Sequence, residues 1–175
     1  MYPKKLTYGK VHLRPLEPED LDFLYLWEND PDVWKVSNTL TPFSRYILKQ
    51  YISESHRDLF DIRQLRLIIE DLSGNTAGAI DLFDYDPFHL RAGIGILIYA
   101  ETDRRKGLAS DALELISRYA RETLGLHQLY ANIMDNNPGS RMLFKKAGFK
   151  LSGIKKDWLR TAGSWNDELL MQKML

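Results

Sequence analysis

The sequence predicts an α/β domain: a mixed, mostly antiparallel sheet with a central pair of parallel strands, flanked by helices. Apolar residues alternate from about Ile62 to Tyr99, as in half-buried strands, and then recur at three- and four-residue steps from Leu108 to Ala120, as on one helix face. A second apolar strand, Gln128–Met134, follows that helix, and strand–helix–strand units place their strands parallel. We expect residues 1–175 to form one domain, because this length suffices for one core.

The N-terminal part predicts a strand and two helices. Residues Gly9 to Pro15 alternate between apolar and polar side chains, which is typical of a half-buried strand. Pro18 stands where proline favours a first helical turn, and Pro31 is expected to end that helix because it disfavours helical geometry at Asp30. Thr41-Pro42 predicts the start of the second helix. Its inner side is expected to carry Phe43, Ile47, Tyr51 and Ile52.

The rest of the chain predicts strands and helices separated by turn residues. In chain order these are a strand from about Ile62, a hairpin turn at Asp71–Asn75, strands over Thr76–Phe83 and Arg91–Tyr99 joined by a loop at Asp84–Pro87, the helix that Gly125 closes, the strand Gln128–Met134, a helix after the turn Asn136–Ser140, and two final strands joined by a hairpin at Thr161–Ser164. Ligands of such sheets bind at the carboxyl ends of parallel strands. The loop after the strand Arg91–Tyr99 and the turn Asn136–Ser140 both lie at such ends, so we expect one site there.

A basic loop, Arg104-Arg105-Lys106-Gly107-Leu108-Ala109, stands where a strand becomes a long helix. The first amides of a helix are free to bind an anion, and the helix dipole adds positive potential there. Gly107 has no Cβ, so a phosphate can approach the backbone closely, and three cations precede it. The pattern matches neither the Walker loop nor the dinucleotide-binding fingerprint. We interpret it as a pyrophosphate cradle; the alternative is a solvated turn that only starts the helix.

Composition narrows the functional classes. The formal net charge is zero, which does not indicate a broad nucleic-acid-binding surface, and there is no cysteine for a disulfide, a thiolate metal site or a nucleophile. The chain has no run of about 18 apolar residues, and its four histidines lack metal-ligand spacing. We expect a cytoplasmic protein without a metal, a membrane or a nucleic-acid partner, with the histidines at surface or structural positions.

Two motifs together resemble the paired cofactor motifs of the GNAT superfamily of N-acetyltransferases. The first is Arg-x-x-Gly-x-Ala at 104–109, and the second is Asn137-x-x-Ser140-x-x-Leu143-x-x-Lys146-x-Gly148-Phe149. The opening residues 13–20 and Asn29-Asp30-Pro31 resemble the branch that holds the spermidine/diamine acetyltransferases and the enzymes that acetylate ribosomal-protein N-termini. The resemblance covers nearly the whole chain, and it implies the fold and the chemistry of that superfamily.

The resemblance also implies acetyl-CoA as the cofactor. In such enzymes the strand before the loop pairs its backbone with the pantetheine arm, the loop amides bind the pyrophosphate, and residues around the later Asn line the same groove. Carried over to this chain, the cofactor-binding residues are Ile96, Leu97, Ile98, Arg104, Arg105, Lys106, Gly107, Leu108, Ala109, Ser110, Asn137, Ser140, Phe144 and Lys145. For Asn137 the alternative is a helix N-cap before Pro138, and one residue can do both.

Acyl transfer to an amine needs a base for the ammonium proton and an acid for the departing thiolate. In the polyamine branch the acid is usually a tyrosine, whose position here is Phe144, so we hypothesise that Ser140 is the donor, with helix capping as the alternative. Many relatives carry a glutamate as the base on the central strand, where this chain has Gly93. The remaining candidates are Glu70, Asp81 and Asp84, each of which could instead be a solvated strand-edge charge.

Carboxylates suggest a cationic acceptor. They are Glu28, Asp30, Asp32, Asp81, Asp84 and Asp86. The predicted substrate-binding residues among them are Glu28, Asp32 and Asp84, although helix ends and turns favour Asp for other reasons as well. The leading hypothesis is acetyl transfer to a small polyamine-like amine. The alternatives are acetylation of a protein N-terminus, and a CoA-binding sensor module with little catalysis. The family also allows a homodimer or a higher homo-oligomer.

Overall fold

The computed structural model describes residues 6–37, 39–161 and 163–175, and its frame is an eight-stranded sheet. The strands are β1 (Thr7–Tyr8), β2 (Val11–Pro15), β3 (Leu65–Asp71), β4 (Thr76–Asp86), β5 (Arg91–Ile98), β6 (Gln128–Met134), β7 (Lys150–Thr161) and β8 (Ser164–Met174). Their order across the sheet is β1-β2-β3-β4-β5-β6-β8-β7. Neighbouring strands run antiparallel except for the parallel pair β5–β6, so the predicted sheet is confirmed.

Helices cover both faces of this sheet. They are α1 (Leu21–Glu28), which follows a short 3-10 helix at Pro18–Asp20, α2 (Pro31–Ser37), α3 (Arg45–Glu54), α4 (Leu59–Ile62), α5 (Leu108–Glu122) and α6 (Pro138–Lys146). Within the residues described, none of them combines the length and the apolar character that crossing a bilayer requires.

The sheet carries a separate core on each face. On one face, buried residues of the strands, such as Ile94 and Leu129, belong to the same cluster as buried residues of α5 and α6. On the other, Ile68 and Ala79 of the strands pack with residues of α1 and α3, including Trp27. We refer to the second as the α1/α3 face. Because strand side chains alternate between faces, this division assigns each strand residue near the site to one side of the sheet.

Near the N-terminus one predicted boundary is confirmed and others were wrong. The first helix, α1, ends before Pro31 as predicted, but Pro31 also begins α2, which suits the preference of proline for the first helical turn. The helix predicted at Thr41-Pro42 begins later, because the Ser44 hydroxyl accepts a hydrogen bond from the amide of Ile47 (3.2 Å) and caps α3. Ile47, expected on the inner side, is exposed. Ile62 lies in α4 and not in a strand.

Two predicted connections also differ from the structure or fall outside it. The loop predicted at Asp84–Pro87 is largely strand, because β4 continues through Asp86 by means of a β-bulge. The final hairpin joins Thr161 and Ser164 as a cross-strand pair. Ala162, in the turn predicted there, lies outside the described residues.

Candidate active site

The parallel strands β5 and β6 separate soon after they begin. They pair only at Arg91 with Gln128, Ala92 with Leu129 and Gly93 with Tyr130. Beyond that point β5 stays paired with β4 up to Ile98, and β6 with β8 up to Met134, so the sheet opens between them. We call the opening between residues 94–98 and 131–134 the wedge. Within the described residues, its facing edges have backbone amides and carbonyls without a strand partner, which suits a ligand that itself carries amides.

The basic loop lies at the open end of the wedge, where β5 leads into α5. Gly107 is the N-cap of α5 and has φ of 93°, a left-handed conformation that favours glycine. The amides of Leu108, Ala109 and Ser110 are the first of that helix, so they have no intrahelical acceptor. The guanidinium of Arg104 donates to the carbonyls of Ile98 and Tyr99, at 3.1 Å each, and ties the loop to the end of β5.

The other two cations of the loop differ in their contacts. Lys106 Nζ forms an ion pair with Asp103 at 2.9 Å, and its carbonyl accepts a hydrogen bond from Lys10 Nζ at 2.9 Å. Within the described ranges, Arg105 makes no hydrogen bond or ion pair. It lines a surface recess of about 440 Å³ together with Lys10, Lys106 and Leu108. Free helix amides beside an uncommitted guanidinium are the donors that a diphosphate group requires, so the pyrophosphate cradle stays a prediction that this geometry allows.

The second side of the wedge is the β6–α6 connection. Asn137 caps α6, because its Oδ1 accepts a hydrogen bond from the Ser140 amide at 3.0 Å, and Pro138 follows at the first helical position. The structure therefore contains the capping alternative for Asn137. In the part of the chain that is described, the Asn137 Nδ2 and the Ser140 hydroxyl have no hydrogen-bond partner, so both remain available to a ligand. Lys145 is exposed further along the same helix.

Phe144 lies in the core and not in the cofactor groove that the sequence predicts for it. It was expected to contact the cofactor, but its side chain is only 4% exposed and belongs to the core between α6 and the sheet. Its ring meets that of Phe149 edge to face, with 5.0 Å between the ring centroids. Phe144 thus stabilises the packing of α6 and offers the wedge neither a proton nor an open surface.

Near the closed end of the wedge, β5 has glycine at the two positions that face α1 and α3, Gly93 and Gly95. A Cβ at Gly93 would lie 2.2 Å from the ring of Phe83, so that ring occupies the place of any side chain there. Among the described residues, a Cβ at Gly95 would meet only one atom of Phe83, at 3.9 Å, so the surface above Gly95 is open in this part of the chain. Asp81 lies directly opposite Gly95 on β4. An acceptor group can therefore approach the strand backbone at Gly95 from the α1/α3 face.

A charged cluster borders this open surface. Arg66 binds both oxygens of Asp81, with Nε–Oδ1 at 2.6 Å and Nη2–Oδ2 at 3.1 Å, and its Nη1 lies 2.5 Å from Glu28 Oε1. The guanidinium also lies over the ring of Tyr51, 5.3 Å from its centroid. Burial raises the pKa of the Tyr51 phenol to about 12. Two carboxylates and one guanidinium leave one net negative charge, so the cluster favours a cation.

Glu70 lies apart from the wedge, which contradicts its prediction as a catalytic base. It is 5% exposed, and its Oε1 is 2.5 Å from Arg14 Nε. Arg14 also binds Asp20, at 2.7 and 2.8 Å, so Glu70 belongs to a buried ionic cluster between β2, β3 and the start of α1. Because β4 lies between β3 and β5, Glu70 is two strands away from the wedge. We conclude that Glu70 stabilises the fold.

The remaining acidic candidates differ in position. Asp32 is exposed at the start of α2, where it pairs with Lys35 at 2.6 Å, and this contact lowers the pKa of Asp32. Asp84 lies near the closed end of the wedge, where its Oδ2 accepts a hydrogen bond from the Tyr130 hydroxyl at 3.3 Å. The sequence analysis missed Tyr130 and Arg66, because each acts across strands that are distant in the chain.

Comparisons with known proteins agree with this geometry. Residues 10–150 match the family model of the acetyltransferase (GNAT) domain. The chain is 29% identical over 143 residues to the spermidine N(1)-acetyltransferase of Escherichia coli, covering 82% of this chain and 74% of that protein. It is 38% identical over 65 residues to the E. coli ribosomal protein uS5-alanine N-acetyltransferase, covering 37% of this chain and 34% of that enzyme. The spermidine N-acetyltransferase of Vibrio cholerae, solved with CoA and spermine, superposes with a TM-score of 0.85 at 25% identity, covering 94% of this chain and 95% of that one.

Proposed function

The chain belongs to the GNAT family and is an N-acetyltransferase that uses acetyl-CoA, and we propose that its acceptor is a primary amine of a small, polyamine-like cation. The observation that carries this proposal is the open surface at Gly95, bordered by the net negative cluster of Glu28, Arg66 and Asp81. A cationic acceptor is attracted to such a surface, whereas a neutral or anionic one is not.

The fit of the cofactor supports this placement. Acetyl-CoA supplies the acetyl group as a thioester. We propose that the free edge of Ile96, Leu97 and Ile98 binds amides of the cofactor, and that the first amides of α5, with Arg105, bind its diphosphate. From residue 94 to residue 98 this edge is about 13 Å long, at about 3.3 Å per residue. A ligand anchored at the loop and following the edge thus has its other end directed towards Gly95.

The proposed site is completed by the β6–α6 side of the wedge and by the acidic residues that follow α1. The side of the wedge opposite β5 is lined by the Asn137 Nδ2, the Ser140 hydroxyl and Lys145. Ser140 is the proposed proton donor to the leaving group, because in the part of the chain that the structure describes its hydroxyl makes no other hydrogen bond. Asp30 and Asp32 extend the negative surface outward from Glu28; burial and the contact with Asp30 raise the pKa of the Tyr99 phenol beside them.

A substrate panel tests the proposal. Acetyl-CoA consumption would be measured with spermidine, putrescine, single amino acids and short peptides, with calorimetric titration of CoA as a control for cofactor binding. We expect kcat/KM for the polyamines to exceed that for every peptide by about tenfold or more, since each additional ammonium gains from the acidic surface. Equal kcat/KM values for peptides and polyamines would contradict the assignment of the acceptor.

The second candidate function is acetylation of a protein N-terminus. The similarity to the uS5-alanine N-acetyltransferase over 65 residues favours it. Preferential turnover of a peptide that begins with alanine would replace the first proposal by this one. CoA binding without turnover of any amine would favour the third hypothesis, a sensor module.

The expected homo-oligomer is also a proposal, which light scattering tests against the 20.4 kDa mass of one chain.

A further inference from the structure

An aromatic and acidic pair closes the inner end of the wedge. Tyr130 belongs to the last parallel pair, opposite Gly93, so its side chain stands where β5 and β6 begin to separate. Its ring packs edge to face on Phe83, with 6.0 Å between the centroids, and Phe83 covers Gly93. The Tyr130 hydroxyl reaches across β5 to Asp84 Oδ2 on β4, at 3.3 Å. The phenol thus connects the two strands that flank β5.

The position of Asp84 depends on the β-bulge of β4. The register passes from Phe83 opposite Gly93 to Asp86 opposite Arg91, so β4 has one extra residue there. Asp84 has φ of 48°, a left-handed conformation that is strained for residues with a side chain, although less so for Asp and Asn. The next residue, Tyr85, is buried in the core, while the carboxylate of Asp84 is turned to Tyr130. Strain of this kind persists where the surrounding structure enforces it.

Two carboxylates on β4, Asp81 and Asp84, differ in how their oxygens are occupied. Both oxygens of Asp81 are bound by Arg66. Asp84 has a hydrogen bond to only one oxygen within the described residues, and its other oxygen is free. The titratable and charged groups around it are Tyr130 on β6, Arg91 on β5 and Asp86 on its own strand; Arg91 is paired with Asp86 at 3.3 Å. No cation is bound directly to Asp84 in the described part of the chain.

Resting on the proposed function, we propose that Asp84 is the general base that takes a proton from the acceptor ammonium, and that Tyr130 is its positioning residue. The N–H bond of the ammonium breaks, a new O–H bond forms on the free Asp84 oxygen, and the electron pair stays on nitrogen. That pair forms the C–N bond to the acetyl carbon, and the pair of the broken C–S bond leaves with sulfur. The second proton, which the attacking nitrogen then loses, is taken up by the departing sulfur, so the products are the amide and the free thiol. The carboxylate thus reaches the closed end of the wedge from β4, although β5 has only glycine there.

The test compares Asp84→Asn with Asp86→Asn, which removes a carboxylate two residues away. Asparagine tolerates the left-handed conformation, so the bulge is retained. For each variant, kcat/KM would be measured from pH 6 to pH 10 with spermidine and with 2,2,2-trifluoroethylamine, a weakly basic amine that is largely uncharged at neutral pH. Melting temperature, CoA affinity and spermidine affinity of the cofactor-free protein would be measured alongside.

We expect Asp84→Asn to lower kcat/KM for spermidine about 100-fold at pH 7, within the range of general base catalysis. The deficit should shrink as the pH approaches the pKa of the amine, and it should fall below about threefold for trifluoroethylamine, which needs no base. Tyr130→Phe should reproduce the same pH dependence with a smaller deficit, and Asp86→Asn should stay within about threefold of wild type. CoA affinity and melting temperature should be unchanged.

A deficit that is the same at every pH and for both amines would overturn the inference, because it would show that Asp84 only binds the acceptor. So would a loss in spermidine affinity that accounts for the whole effect. If the wild-type protein acetylates no amine, the proposed function fails and the inference fails with it. The two failures are therefore distinguished by the activity of the wild type.

Discussion

The two sides of the site are built in different ways. The proposed cofactor side is built mainly from a continuous segment, from Ile96 near the end of β5 to Ser110 in the first turn of α5, with the β6–α6 connection opposite it. The acceptor side combines Glu28 of α1, Arg66 of β3 and Asp81 of β4, which meet only in the folded protein. A site made from one segment needs local geometry alone, whereas a site made from several elements needs the register of every strand between them. Substitutions should therefore affect the two sides separately.

Gly107→Glu should have the largest effect and should be confined to the cofactor side. The substitution places a carboxylate among the free amides of α5 and forces a side chain into a left-handed conformation. We expect CoA affinity, measured by calorimetry, to fall by more than about 100-fold, a loss of ~2.7 kcal/mol.

Gly125→Glu is the matched control, because Gly125 also has a positive φ (65°) and open space around it but lies beyond the far end of α5. The Gly125→Glu variant should have the same backbone strain as Gly107→Glu, but its CoA affinity should be normal. Equal losses in both variants would mean that strain, and not the phosphate site, explains the effect.

Ser140→Ala tests whether the second side of the wedge takes part in the chemistry. If the hydroxyl donates the proton to the leaving group, turnover should fall about 100-fold or more while CoA affinity stays within about twofold, since general acids typically contribute about 10²–10⁴-fold. The Asn137 cap should persist, because it uses only the Ser140 amide. Ser140→Thr keeps a hydroxyl and should restore most of the turnover. Normal turnover in the alanine variant would reduce Ser140 to a capping partner.

Glu28→Gln should affect only the acceptor side, and more weakly. It removes one of the two carboxylates bound to Arg66, so the cluster becomes neutral. We expect KM for spermidine to rise about fivefold, in line with the loss of a partly exposed charge contact of ~1 kcal/mol. Glu54→Gln, an exposed carboxylate on α3, serves as the control and should leave KM unchanged. A change in CoA affinity with Glu28→Gln would show that the two sides are coupled.

Glu70→Gln should have the smallest effect on catalysis, although Glu70 lies on the same face of the sheet. It weakens the buried contact with Arg14 and should lower the free energy of unfolding by ~1–3 kcal/mol, measured by urea denaturation. The kcat and both KM values should remain those of wild type once the protein is folded. A tenfold loss of kcat in a fully folded variant would return Glu70 to the catalytic candidates.

The contrast between the two sides explains which predictions succeeded. The loop at 104–109 and the motif that begins at Asn137 identified the GNAT family, and that assignment is confirmed. The helix period of α5 and the strand Gln128–Met134 were also predicted with the observed boundaries or close to them. The start of α3 was predicted wrongly although its cap is local: Ser44, and not Thr41, begins α3 because its hydroxyl accepts a hydrogen bond from the amide of Ile47.

The acidic residues show why the roles of individual side chains in the site could not be predicted from the sequence. Glu70, Asp81 and Asp84 look alike in the sequence, as carboxylates in or beside strands. Their different partners, Arg14, Arg66 and Tyr130, come from elements up to 56 residues away and depend on strand order and on the bulge in β4. Phe144 likewise occupies a motif position, yet its packing on Phe149 places it in the core.

The sequence by itself determined most of the helices and strands and the glycine-containing turn that begins α5, because hydrophobic period, capping and the conformation of glycine act over a few neighbouring residues. Only the tertiary structure decided where the sheet opens and which carboxylates are neutralised by a cation. Those outcomes depend on pairing between distant strands. A shift of one residue in that register would move every side chain of a strand to the opposite face.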